Sequence, residues 1–136
     1  MTGMNGTDFL VKVNTGTPTV PVWTTVAAQR DASLSESSDT IDFSSKDGRE
    51  WEGRAGRYES EVSLDGLIPV AAEAGFDALK LANRNGTLVM LQTSRAGVAH
   101  EEATAIVTQM DQEYPDQGES TFSGTFKVTG GWTAAA

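Results

Sequence analysis

The segment "RYESEVSLDGL", residues 57–67, puts Tyr58, Val62 and Leu64 on one side of a two-residue period and Arg57, Glu59, Glu61, Ser63 and Asp65 on the other. Only an extended strand with one dry and one wet face keeps such a period in register, because a helix would scatter the same side chains around its axis. The pattern recurs. "DFLVKVN", residues 8–14, alternates Phe9, Val11 and Val13 with Leu10 and Lys12. "STFSGTFKVTG" places Phe122, Phe126 and Val128 on one face together with Ser120 and Gly124. "TLVMLQT" reads as a strand, and so does "AHEEATAIVTQMDQEYP", through its β-branched centre. "VWTTVAAQRDASLSES" reads as two short strands meeting near residues 29–31, after the break "NTGTPTVP", and "TIDF" as a fragment of another.

Against about seven strands stands one convincing helix. "IPVAAEAGFDALKLANRNG" predicts it over residues 68–84: Pro69 suits a first turn, alanine and leucine favour the middle, and residues 83–86 supply a stop. Ala72, Phe76 and Leu79 form its apolar stripe. The fold class expected is therefore mainly β, an antiparallel sheet protein with a helix against it. The 136 residues fit a single domain, 1–136, with residues 1–7 as an N-terminal arm, 44–57 as a long inter-strand loop and 130–136 as a loosely held C-terminal tail.

Composition removes several function classes. There is no cysteine, hence no disulfide, thiol catalysis or cysteine-bound zinc. "MTGMNGTDFLVKV" has neither a basic leader nor a long apolar run, and nowhere do 18 apolar residues stand together, so a soluble intracellular product without membrane contact is expected. "NGT" at Asn5 and Asn85 reads as turn chemistry. The net charge of -9 opposes stable binding to nucleic acid. Between residues 96 and 126 lie Glu101, Glu102, Asp111, Glu113, Asp116 and Glu119 with no lysine or arginine, whereas residues 44–57 carry Lys46, Arg49, Arg54 and Arg57 against Asp47, Glu50 and Glu52.

No pattern of catalytic residues emerges. His100, the only histidine, has Glu101 and Glu102 beside it but no marked nucleophile. The acids from Asp111 to Glu119 lack the glycine and closing glutamate of a calcium loop. Glu59 and Glu61 read as surface acids of an alternating strand rather than an acid and base pair. "GREWEGRA" has the glycine spacing of a phosphate loop, yet Arg54 and Ala55 replace its lysine and hydroxyl residue, and a strand follows where a helix is needed. What remains is a long polar excursion with one large aromatic, Trp51, among cations. Long loops in compact domains are functional or disordered, and Trp and Arg are favoured interface anchors, so this one reads as an intersubunit arm.

Read in order, "GTDFLVKVN", "WTTVAAQRDASLSESSDTIDFSSKD", "YESEVSLDGL", the alanine-rich helix and "DQGESTFSGTFKVTG" resemble the major tail tube proteins of long-tailed, siphovirus-type phages and of gene transfer agents. The resemblance covers nearly the whole chain. It implies two packed antiparallel β-sheets with a flanking helix, and hexameric rings that join their sheets into a barrel and stack into a hollow virion tail tube assembled in the bacterial cytoplasm. Implied partners are further copies of the chain, a tape measure protein and tail terminator and distal tail proteins. DNA passes through without specific binding, and no enzyme activity or cofactor is implied. The same fold serves phage-related secretion and contractile systems, so a tube protein of that kind is one alternative, and a monomeric acidic β-sandwich binding module another. By position, Lys46, Asp47, Arg49, Trp51, Arg54 and Arg57 fall in the family's long loop, which reaches neighbouring subunits or the next ring. Two rows are candidates for the lumen: Glu59, Glu61 and Asp65 on one strand, and Glu102, Thr104 and Thr108 on another. Alternation separates wet from dry faces, not inside from outside.

Overall fold

The computed structural model describes residues 3–26, 28–71 and 73–135. After a short 3-10 turn at Gly6–Asp8 come β1 (Phe9–Asn14), β2 (Trp23–Thr25), β3 (Gln29–Asp42), β4 (Gly53–Leu67), α1 (Ala74–Asn85), β5 (Leu88–Arg95), β6 (Val98–Glu113) and β7 (Thr121–Ala134). All pairings are antiparallel and join the strands into one sheet in the order β2-β1-β5-β6-β7-β4-β3. Where the resemblance implies two packed sheets, all seven strands are hydrogen-bonded into one. The reason is the length of β6 and β7, of 16 and 14 residues, each of which pairs on both sides and leaves no seam at which the sheet could divide.

A single sheet buries a core only if it bends. Register shifts at Thr93/Ser94, Glu102/Thr104 and Val107/Gln109 mark the bulges that bend it, since an extra residue in one strand kinks the ladder and increases its twist. The dry face carries Val11, Val13, Val62, Leu64, Leu91, Ala105, Phe122, Phe126 and Val128, all buried. α1 covers that face with Phe76, Leu79 and Ala82. Phe76 meets Phe122 in a tilted pair with ring centroids 5.0 Å apart, and the Lys80 ammonium lies 5.4 Å over the Phe76 ring. Of the expected helical stripe, Phe76 and Leu79 are buried, Ala82 extends it, and Ala72 lies outside the described residues.

The helix begins later than the sequence predicts, at Ala74 rather than residue 68. Ile68 is held in the preceding strand direction by its N–H, which donates to the Ser120 carbonyl at 2.9 Å, and its side chain packs on the core. The first turn then lies directly on the β2 connection, where a Cβ on Gly75 would stand 3.1 Å from the Thr25 carbonyl oxygen. At the other end Gly86 adopts φ 69° and its N–H caps the Ala82 carbonyl, the left-handed stop that glycine permits.

The first residue of β3 draws the sheet's ends together. The Gln29 side-chain amide stands in for a strand: its Oε1 accepts from the Val11 N–H at 3.0 Å, and its Nε2 donates to the Val11 and Val26 carbonyls at 3.0 and 2.8 Å. The outer edge of β1, beyond the reach of β2, is thus satisfied by a side chain. The sheet curls but is not closed.

Two further segments differ from the sequence reading. The tail is strand: β7 continues to Ala134, Ala134 opposes Glu101, and the Ala135 N–H donates to the His100 carbonyl at 3.1 Å. Gly130, at φ 86°, lets β7 bulge there, and Trp132 turns back to donate from Nε1 to Ser60 Oγ at 2.8 Å. Ala136, with residues 1 and 2 of the N-terminal arm, lies outside the described residues. The long loop is shorter than expected, because β4 begins at Gly53: residues 53–57 are strand, and residues 43–52 remain as the connection.

Candidate assembly surfaces

The polar face of the sheet can be read off the strand register, since directly opposed residues share a face. One row runs Ser35, Glu61, Lys127, Ile106 and Leu88 across β3, β4, β7, β6 and β5. Neighbouring rows run Asp31, Asp65, Ser123 and Asp111, then Thr129, Thr104 and Met90, then Thr133, Glu102, Gln92 and Lys12. The two candidate rows of the sequence reading therefore lie on one continuous face: Glu59, Glu61 and Asp65 are exposed on β4, and Glu102 and Thr104 are half-buried on β6. Thr108 stands at the Val107/Gln109 bulge, out of the alternation, with its hydroxyl donating to the Thr125 carbonyl at 3.0 Å.

The seven acids Asp31, Glu59, Glu61, Asp65, Glu102, Asp111 and Glu113 outnumber the cations Lys12, Arg57 and Lys127 on this face. Lys127 reaches Glu59 at 3.8 Å, with both side chains half exposed, so solvent screens the pair and it adds little stability. Leu88 and Ile106 interrupt the polar surface. Sequence reasoning missed β3's share of the face, Ser33, Ser35 and Ser37, and the β7 residues Ser123, Thr125 and Lys127 that connect its two rows. The alternation in "STFSGTFKVTG" held the second signal, whereas the serine run of β3 offers no contrast between its faces.

The second surface is the arm. Pairing between β4 and β7 stops at Glu61 and Lys127, while pairing between β4 and β3 continues to Gly53 and Asp42. Trp132 sits where the strands part, bonded to Ser60. Beyond that fork, residues 36–42 and 53–59 form a two-stranded ribbon with no buried residue. Its closure is local and polar. The Ser44 N–H donates to Asp42 Oδ1 at 2.8 Å, the Glu52 N–H to Ser44 Oγ at 2.6 Å, and the Phe43 N–H to the Glu52 carbonyl at 3.0 Å. The bond from the Ser44 backbone holds the Asp42 carboxyl below its usual range. At the base of the ribbon, beside the fork, the Tyr58 hydroxyl donates to Glu36, and that hydrogen bond holds the phenol above its ordinary value.

Of the residues singled out for the loop, Lys46, Asp47, Arg49 and Trp51 lie in the connection at the ribbon's tip, and Arg54 and Arg57 lie on β4. All are exposed. Trp51 is 61% exposed, and Ile41 and Phe43 beside it are 43% and 56% exposed. Elsewhere His100 Nε2 lies 3.3 Å from its neighbour Glu101, with both side chains part exposed. Among the described residues no group of His, Asp and Glu side chains is arranged to hold a metal ion, and no helix is long and apolar enough to cross a membrane.

A curled, unclosed sheet with one dry face, one continuous polar face and a projecting unburied ribbon leaves free strand edges of the kind that structural subunits pair with other chains. The chain belongs to the phage tail tube protein family, whose profile matches residues 3–134. The fold is shared with solved tails. It is similar to a chain from the tail of an empty gene transfer agent particle, determined with C6 helical symmetry, at TM-score 0.83 and 20% identity over 98% of this chain and 100% of that one. A chain of the native gene transfer agent virion gives 0.81 and 17%, covering 98% and 100%. The SPP1 tail tube protein gives 0.81 and 11%, covering 98% of this chain and 80% of that one. No curated protein sequence matches.

Proposed function

We propose that six copies of this tail tube protein close into a ring, that rings stack into a hollow tube, and that the tube conducts DNA from the capsid to the host cell. The observation that carries this reading is the continuous polar face, which spans six strands and has an excess of acids. Turned inward, it presents like charge to a passing polyanion, which releases no counterions on contact and has nothing to hold it. The dry face and α1 then lie outward. The β3 edge and the arm meet neighbouring copies through Lys46, Asp47, Arg49, Trp51, Arg54 and Arg57, so that ring closure removes the free edge. A tape measure protein occupies the lumen before DNA, and terminator and distal tail proteins cap the ends. The work is structural and calls for no cofactor.

Electron microscopy of the concentrated purified protein tests the reading. Tubes or stacked rings are expected, and a protein that stays monomeric across concentration and salt, even with tail initiator proteins added, contradicts it. The lumen assignment has its own test. Exchanging Glu59, Glu61 and Glu102 for lysine is expected to leave assembly intact and impair genome delivery, and normal delivery through such tubes removes the assignment.

A further inference from the structure

We infer that the groove between the N-terminal turn and the start of β3 is the seat for the arm tip of another copy, with Trp51 as the inserted side chain. The inference rests on the tube reading and adds the receptor to it. The groove holds about 590 Å³. Its apolar lining comes from Met4, Phe9 and Leu34, and its charged members are Arg30, Asp31 and Arg95. Met4 and Leu34 are 50% and 36% exposed, which leaves apolar surface wet in the isolated chain.

The tip is built to present its indole. The Trp51 ring lies over Gly53, where a Cβ would collide with it, so that strand position is free of a side chain. Glu50 and Glu52 flank Trp51 and are opposite in charge to Arg30 and Arg95, and among the described residues none of these four has an ion-pair partner. Asp31 gives Lys46 or Arg49 a counter-charge. A desolvated Trp ringed by charge pairs is the common composition of an interface anchor, and an arginine over the indole adds a cation–π contact.

The occupant comes from a second copy because the chain's own tip is out of reach. From Leu34 to Asp42 β3 is extended, which carries the tip roughly 26 Å from the groove at 3.3 Å per residue. A contact between different patches of identical chains is head-to-tail, and such contacts propagate into rings or open stacks.

The absence of cysteine permits a direct test. The G48C/T7C and G48C/A32C variants, which keep Trp51 and the apolar lining of the groove, are expected to give, when oxidised in the assembled state, a ladder of disulfide-linked chains on a non-reducing gel. In parallel, E50K/E52K and R30E/R95E are each expected to raise the critical concentration for assembly at least about tenfold, and their combination to restore it. Tubes that form without a ladder, together with charge swaps that fail to rescue one another, overturn the groove assignment alone. Wild-type protein that forms no tubes overturns the tube reading and this inference with it.

Discussion

Within β4 one continuous strand meets two fates. From Ser60 to Gly66 every second residue is buried, and from Gly53 to Glu59 none is. Along β3 the contrast is stronger still, since no residue of its 14 is buried. The body of the sheet has α1 and its own curvature to cover one face; the arm has neither. A two-stranded ribbon is marginal in water, so the arm contributes little to the fold and needs something outside the chain to hold it. Burial is a property of the covering, not of the alternation.

Breaking the body produces the largest effect. Phe126 is fully buried at the centre of the dry face, and Phe126→Ala is expected to cost about 3–5 kcal/mol in a denaturant titration. Replacing residues 43–52 by an Asn-Gly turn, in contrast, is expected to change stability by less than about 1 kcal/mol and to abolish tube growth in the same preparation. Normal tubes from that variant would erase the distinction between body and arm.

A smaller effect sharpens where the body closes. Gln29→Ala leaves the Val11 N–H without its acceptor and is expected to cost about 1–3 kcal/mol, whereas Gln29→Glu keeps that acceptor and loses only the donor to Val11 and Val26. Equal stability of Gln29→Ala and wild type would mean that solvent replaces the side chain there without cost. At the fork, Trp132→Phe removes the bond to Ser60 and is expected to cost about 1 kcal/mol.

The smallest effect is in the arm's own turn. The Asp42 carboxyl is held below its usual range in the folded chain, so its contribution is present above the unfolded value and is lost as pH falls through the lowered one. Amide exchange at Ser44 is expected to accelerate, relative to the intrinsic rate, only on that acid side. Asp42→Asn, which keeps an acceptor without the charge, is expected to remove the pH dependence while retaining part of the protection.

The body was readable because its strands alternate Val, Leu and Phe with polar residues, a contrast that exists only where one face is dry. The arm was not. In "SLSESSDT" both faces stay wet, so selection for burial leaves no period, and β3 read as fragments with a loop where a ribbon stands. The two lumen candidates were found one strand at a time, but their union into one face depends on β7 pairing with both β4 and β6, a register no single strand encodes. The late helix start and the structured tail arise from contacts distant in sequence, Ile68 with Ser120 and Trp132 with Ser60. Pro69 permits a first turn, but the bond of Ile68 to Ser120 delays the helix to Ala74.

Hydrogen exchange compared between monomer and assembled tube tests the division most directly. In the monomer, amides of β5, β6 and the Ser60–Gly66 part of β4 are expected to be protected, while those of residues 36–42 and 53–59 exchange rapidly. In the tube the arm amides are expected to slow to rates comparable with the body. Arm amides already as protected in the monomer as those of β6, or still rapid in the tube, would contradict the account.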